Sequence, residues 1–510
     1  MYAQQAVNPL SPRPRAAVLD QHAMPLQRLL GLPQAIMLGV GGTLGGGIFV
    51  LVGGAVGEAG PAALFSFALA FLAALLIALP YAELACRYPH AGGCYAFARA
   101  VFGPHGGFVM GWSYWGAFLF TSGFASLGCG GYLHALTGLP PVTGALGLIA
   151  LCVVVNVRGV RCAGRAQTLV VLLALAGLAG FALLGVPHVH MRLFTPFLPN
   201  HGAGVLPATL LAFLAFGGFD MVATAGEEVK RPERTLPLAI LLTLCVVLAV
   251  YGLVVFVSIG LLPSTAFGAS SAPLAAAARC LGPIAQCLVA VVAVLATAAA
   301  TNATLLACSR ITFAMARDGV FPRPLSRVDA ATGSPRTAIM VSGAGMALVA
   351  LPGSVGLATA VGGFLYVLHF LWPLVILVVV RRRGTTKAAF QAPLATVTTP
   401  LAFVMCMALL AASGPVGLLG GGVWLLVGVL VYGMSRFVRA ESPAPSPQSS
   451  ERVWPLLYHT LRGRHASLPP LVVARRLLCR RLDDVLDTPD VLNTEGKVVN
   501  RVQGAQYLAV

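Results

Sequence analysis

Apolar residues run along this chain in long stretches separated by short polar intervals, and the length of the stretches decides what kind of protein it is. A helix needs roughly 20 mostly apolar residues to cross ~30 Å of hydrocarbon. Stretches of that length or close to it occupy residues 32–57, 61–81, 106–129, 140–157, 168–186, 203–224, 236–262, 281–306, 337–351, 355–380, 395–412 and 415–434, the ninth being the shortest. The pattern predicts an all-α membrane protein with twelve transmembrane helices. A cytoplasmic N-terminal segment, 1–31, precedes the membrane domain, 32–437, and a cytoplasmic tail, 438–510, follows it.

Composition excludes water as the solvent for most of the surface. Hydrophobic residues make up 58% of the chain and charged residues 10%, with a mean hydropathy of +0.86, whereas soluble domains carry about 25% charge. The net charge of +17 takes its meaning from where the basic residues lie. With a cytoplasmic N-terminus, 31 of the 33 Lys and Arg residues fall in inner loops and termini, leaving only Arg192 and Arg279 outside. Basic residues in short loops resist translocation, so this split sets both termini in the cytoplasm and an even number of spans. The expected partner is the lipid bilayer of the plasma (inner) membrane, not nucleic acid.

Eleven cysteines lie scattered without a Cys-x-x-Cys pair, mostly inside apolar runs, so neither a disulfide framework nor a zinc site is expected. His188, His190 and His201 share an outer loop without a neighbouring carboxylate or cysteine, and no metal or cofactor is anticipated there. The first thirty residues hold no compact apolar core with a small-residue cleavage site, so the first span is expected to direct insertion. Residues 87–102 are amphipathic and are expected to rest along the inner interface. Residues 442–450 form a Pro- and Ser-rich linker ahead of a tail with a basic stretch, 475–481, and acidic Asp483, Asp484, Asp487 and Asp490.

Two of the apolar stretches are poor helices. The first contains Gly39, Gly41, Gly42, Gly45, Gly46 and Gly47, and each interior glycine costs ~1 kcal/mol relative to alanine. The sixth contains Gly217 and Gly218 followed by Asp220, and ends in Gly226, Glu227 and Glu228. Both should break. Broken helices in lipid are tolerated only where the freed backbone lines a polar cavity. The first and sixth spans each open a block of five, and two blocks of odd number insert in opposite senses, which is the arrangement of inverted-repeat transporters. The repeats would cover about 32–187 and 203–380, with the spans in 395–437 as two extra helices. Such a site suits an amino acid. N–H groups around Gly45, Gly46 and Gly47 can hold a carboxylate, and carbonyls freed near Gly42 and Phe216 can accept an ammonium.

The run from Gly39 to Phe49 (GVGGTLGGGIF) resembles the first-span signature of the amino acid-polyamine-organocation superfamily. Glu83 to Pro89 (ELACRYP) with Ala91 to Tyr95 (AGGCY) is similar to its second-span exit and inner loop. Phe213 to Pro237 (FLAFGGFDMVATAGEEVKRPERTLP) is similar to its sixth span and following loop, and Ser309 to Pro324 (SRITFAMARDGVFPRP) to its eighth-span exit. These motifs stand in the right order over about 30–435 and lie closest to the cationic amino acid transporter branch. The resemblance implies a LeuT-type fold of two inverted five-helix repeats plus two helices. It also implies amino acid permease activity by alternating access, with substrate between spans 1 and 6 and contributions from spans 3, 8 and 10. The chain departs from the family in three places. Leu214 replaces an aromatic gate, which moves gating toward Phe213 or Phe216. Ala174 stands near the place of the span-5 lysine of proton-coupled relatives, and Pro104 and His105 replace a span-3 carboxylate of cationic-substrate members. Facilitated diffusion or exchange of neutral or broadly accepted amino acids is the expectation.

The substrate-binding set expected from these arguments is Gly42, Thr43, Gly45, Gly46, Gly47, Phe216, Gly217, Gly218, Asp220 and Asn302. Asp220 is the one carboxylate deep in a span and reads either as a substrate or gating group or as a scaffold accepting hydrogen bonds from the broken helix. Glu83 and the Glu227–Glu228 pair, with Arg87 or Arg310, form either an inner gate or solvated helix caps. Asn302, with Thr301 and Thr304, serves either the ligand or an interhelical hydrogen bond. Gly362 and Gly363 with Tyr366 read as a hinge with a cavity-lining aromatic or as tight packing. No paired acid and base or nucleophile constellation appears, so an enzyme is not expected. A non-transporting amino acid receptor of the same fold and a polyamine or cationic amino acid transporter are the alternatives. An accessory subunit is left open.

Overall fold

The computed structural model describes residues 30–88, 93–158, 163–224, 229–329, 334–384 and 388–441. All regular structure among them is helical, apart from an isolated parallel bridge between Leu30 and Val229. The expectations for Glu227, Glu228, most of the N-terminal segment and the tail beyond Glu441 lie outside the described residues. Contacts divide the chain into two units, Met1–Arg436 and Phe437–Val510. The first holds the whole site described below. The second is described only where the last helix ends.

The first unit begins with α1 (Leu32–Thr43), a single π-helical turn (Gly47–Leu51) and α2 (Val52–Ala59). Helix α3 (Ala63–Arg87) follows, and then α4 (Cys94–Thr137), whose 44 residues include a kink at Gly103. Next come α5 (Pro141–Val157), α6 (Ala163–Gly185), α7 (Val205–Ala215), the short α8 (Met221–Thr224) and α9 (Pro232–Leu261). Two six-residue helices, α10 (Ser264–Ala269) and α11 (Pro273–Ala278), precede α12 (Pro283–Arg317), α13 (Arg336–Ala350), α14 (Val355–Arg382), α15 (Ala395–Ala412) and α16 (Gly414–Glu441).

Each apolar stretch named above is helical over most of its length, the first and the sixth with an interruption inside. Seven stretches are long and apolar enough to cross a membrane, or eight if α4 and α5, bent by 118° at their junction, count together. One of the seven is the 56-residue run Leu32–Arg87, well over the ~20 residues that one crossing takes. Val205–Ala215 and Arg336–Ala350 are shorter apolar helices. This is an integral, multi-pass, all-helical membrane protein.

Long α4 is the spine against which the others are set, packing along both α12 and α14. Its contact with α16 is a reciprocal clasp. Trp112 Nε1 donates to the Trp424 carbonyl at 2.8 Å, Trp424 Nε1 donates to the Trp112 carbonyl at 3.2 Å, and the two indoles stack at 4.9 Å. Between α5 and α12, Asn156 Nδ2 donates to Asn302 Oδ1 at 2.6 Å and to the Cys152 carbonyl at 2.7 Å. In an apolar surrounding, such polar pairs fix the register of neighbouring helices.

Candidate functional site

The site is built where two helices stop short. Helix α1 ends at Thr43, the next residue, Leu44, is extended (φ −74°, ψ 100°), and helix resumes at Gly46. Helix α7 ends at Ala215, and residues 216–220 form turns before α8. Gly218 lies at φ +117°, a backbone region that side-chain-bearing residues rarely adopt. The two breaks face each other at backbone distance. A Cβ on Gly218 would run into the Gly42 carbonyl group and lie 2.7 Å from Thr43 N, and a Cβ on Gly47 would lie 2.7 Å from both Cα and O of Ala215. Glycine is needed here for approach as well as for bending.

Each interruption frees carbonyls that would cost several kcal/mol if left unpaired in hydrocarbon. Tyr251 of α9 answers both at once. Its buried hydroxyl lies 2.9 Å from the Thr43 carbonyl and 3.2 Å from the Ala215 carbonyl, at the C-terminal ends of α1 and α7. Thr43 Oγ1 returns to the Gly39 carbonyl at 2.8 Å, and Gly217 N donates to the Leu214 carbonyl at 3.0 Å. On the donor side, the first N–H groups of the resumed helix at Gly46 and Gly47 have no acceptor one turn back.

Between the breaks lies a small cavity of about 30 Å³. Of the expected binding residues, Gly42, Thr43, Gly46, Gly47, Gly217 and Gly218 line it, as does Leu214 of the expected gate. Helix α4 contributes Phe118, Thr121, Phe124 and Ala125, α12 contributes Ala300 and Thr304, and α14 contributes Tyr366. No charged side chain lines it among the described residues. The Thr121 hydroxyl is buried there without a hydrogen-bond partner among the described residues.

The structure places the other expected residues elsewhere. Gly45 backs onto Ala300. Phe216 packs away from the cavity against Phe67, Phe71 and Tyr251, and Phe213 stands behind it against Tyr366 and Phe370. Asn302 is spent on Asn156, so its amide oxygen serves the helix contact. Asp220, fully buried, sits beside the cavity and not in its wall. Tyr114 donates to its Oδ2 at 2.8 Å and Tyr366 to its Oδ1 at 3.3 Å, while Tyr366 also accepts the Gly218 N–H at 3.1 Å.

Near the C-terminal end of α3, Glu83 is fully buried and multiply held. Arg87 Nη2 reaches Oε1 at 3.0 Å, Arg381 Nε reaches the same oxygen at 3.2 Å, the Ala392 N–H donates to Oε2 at 2.8 Å, and Arg381 Nη2 pairs with that same Oε2. The partner across the helices is thus Arg381, while Arg310 is exposed and forms no ion pair with Glu83. A second carboxylate, Asp318 at the end of α12, takes Tyr95 and Arg99 from the first turns of α4.

A cavity between two interrupted helices, inside a multi-pass helical membrane protein, is the architecture of a small-molecule carrier. The chain belongs to the amino acid permease family, whose model matches residues 34–428. It is similar to the branched-chain amino acid permease BcaP of Bacillus subtilis (strain 168), 30% identical over 433 residues that cover 80% of this chain and 92% of that one. It is likewise similar to the methylthioribose transporter of the same organism, at 30% over 80% and 93% of the two chains. Cationic amino acid transporter 4 of Mus musculus is 32% identical over 64% of this chain and 55% of its own. The protein is a membrane transporter of the permease class.

Two changes test how the site is held. Tyr251→Phe leaves two buried carbonyls competing for no donor, and a loss of about 1–3 kcal/mol should lower the thermal unfolding midpoint in detergent; an unshifted midpoint would show that the shared hydroxyl is dispensable. Glu83→Gln removes the negative charge that Arg87 and Arg381 share. Breaking a buried pair costs about 3–5 kcal/mol, less here because Arg381 keeps 34% of its side chain open to solvent. The variant should melt earlier than wild type, and Arg310→Gln should not.

Proposed function

We propose that this protein carries small neutral amino acids across the plasma membrane by alternating access, with twelve crossings arranged as two inverted five-helix repeats and two further helices. The observation that carries this proposal is the pairing of two interrupted helices around a cavity without charged walls. The first N–H groups of the resumed helix, at Gly46 and Gly47, supply a cradle for a carboxylate, and the Thr121 hydroxyl, without a partner among the described residues, suits an ammonium. The lining of Phe118, Phe124, Leu214 and Ala300 suits an aliphatic side chain, as does the similarity to a branched-chain amino acid permease. A cationic amino acid or polyamine would bring a second positive charge to walls that offer no carboxylate. Both termini in the cytoplasm accord with the distribution of Lys and Arg.

Uptake of a labelled amino acid panel into proteoliposomes tests the proposal. Saturable flux of leucine, isoleucine, valine or alanine, competed by one another and not by putrescine or arginine, is the expected outcome. Competition by putrescine would move the assignment to polyamines, and ligand-induced thermal stabilisation without any flux would make the protein a receptor. Gly46→Val should abolish substrate binding, because a Cβ there would already lie 2.7 Å from Ala125 Cβ and 3.1 Å from Phe124 Cε2. Wild-type affinity in that variant would move the site elsewhere.

A further inference from the structure

The cavity between the breaks holds about 30 Å³. That is close to the share of a single water in the liquid, about 30 Å³, whereas sites for small molecules run to roughly 300–1,000 Å³. An amino acid therefore enters only if a wall gives way. Most of the walls are fixed. The two breaks are backbone packed on backbone, and the Cβ atoms of Ala125 and Ala300 have no torsion to turn. Phe118 lies on Tyr114 with ring centroids 4.6 Å apart, and Phe124 and Leu214 are buried. The Tyr366 ring packs at 5.1 Å on Phe370 and at 4.8 Å on His369, whose own Nε2 lies 3.9 Å from Asp220 Oδ2.

Met221 is the lining residue built differently. It opens the four-residue α8, and its N–H donates to the Gly218 carbonyl at 3.0 Å, so its side chain starts from the turn of the second break. It lines the cavity half-buried, and a Cβ on Gly42 would lie 2.9 Å from its Sδ. The thioether thus covers the cavity wall at Gly42, on the α1 side of the extended Leu44, while Gly46 and Gly47 stand on the other side. An unbranched side chain with three rotatable bonds and a polarizable sulfur re-packs around partners of different shape. We propose that Met221 is the specificity-determining residue of the site: its thioether is the movable wall that yields to an aliphatic side chain, and its bulk sets the largest side chain accepted. The inference rests on the transport of neutral amino acids proposed above. With the carboxylate held at Gly46 and Gly47, the substrate's side chain displaces the thioether and packs on it. A wall of this kind accepts straight and branched chains alike, because it takes its shape from what it meets, and it excludes rings that demand more room than its displacement frees.

The test uses the full chain in proteoliposomes, with labelled leucine and labelled alanine as probes and unlabelled alanine, leucine, phenylalanine and tryptophan as competitors. Met221→Ala should improve competition by phenylalanine, relative to leucine, by about tenfold or more. Met221→Phe should weaken leucine by a similar factor while alanine is still carried. Met221→Leu, close in volume but branched, should shift the ranking less than either. A panel ranked alike by wild type, Met221→Ala and Met221→Phe would overturn the role of Met221 and leave transport standing. Absence of saturable flux for every member in the wild type would overturn transport, and the role of Met221 with it. A measurement on the wild-type chain decides even where a variant fails to fold. With methyl-labelled methionine, the Met221 methyl resonance, identified by its loss in Met221→Leu, should move when leucine is added; a resonance unmoved at a leucine concentration that saturates flux would overturn the proposal.

Discussion

Interrupting a helix inside hydrocarbon is the constraint from which the rest of this structure follows. The freed peptide groups have no water to turn to, and leaving them bare would cost more than a marginally stable fold has in reserve. Two devices meet the constraint. The breaks are laid against each other, with Gly42 against Gly218 and Gly47 against Ala215, so that backbone packs on backbone. A single tyrosine, Tyr251, then serves carbonyls on both sides. Of the side chains lining the cavity, the Thr121 hydroxyl is left without a hydrogen-bond partner among the described residues.

That account also explains why the surroundings are stiff. A cavity between two breaks persists only if neighbouring helices do not collapse into it, and the long α4 is held on two sides by packing along α12 and α14. The Asn156–Asn302 hydrogen bond fixes α5 on α12, and the reciprocal Trp112–Trp424 clasp fixes α16 on α4. These contacts are far stronger in their geometry than in their number. Small residues let helices approach, and the few polar pairs then choose the register.

The breaks in the first and sixth stretches were legible in the sequence because glycine cost accumulates locally and needs no partner to be recognised. The glycines that line the cavity lay in those same two runs, whereas Leu214, read from the sequence as the place of a missing aromatic gate, lines the wall in the structure. What escaped was every contact that depends on which helix lies opposite. Tyr251, Tyr114 and His369 each sit in an apolar run where an aromatic or imidazole side chain looks like core, and Tyr251 meets Thr43 across 208 residues of chain. His369 carried a usable signal, as an ionisable residue deep in the 355–380 stretch that could have been paired with Asp220 on cost alone. Between Arg310 and Arg381 the sequence offered no choice. Both are cations toward the C-terminal end of an apolar helix, and only packing brings the second one to Glu83. Asn302 likewise had two possible uses, and the neighbouring helix claimed it.

Tyr366 is where the two halves of the site meet. One hydroxyl accepts from the broken helix at Gly218, donates toward Asp220 and forms part of the cavity wall. A phenol has one proton to give, so its donation to the carboxylate and its acceptance from the glycine amide are set by the same torsion. Asp220 is the last residue of the turn at 216–220, so a rearrangement of that turn moves the carboxylate against the two phenols, Tyr366 and Tyr114, that hold it. In a lattice of apolar contacts that tolerates little displacement, a hydrogen bond that can lengthen or swing is the compliant element. The carboxylate is thus kept out of the cavity yet within one side chain of it. The cavity walls are thereby uncharged among the described residues, while the one buried carboxylate beside them is held by phenols.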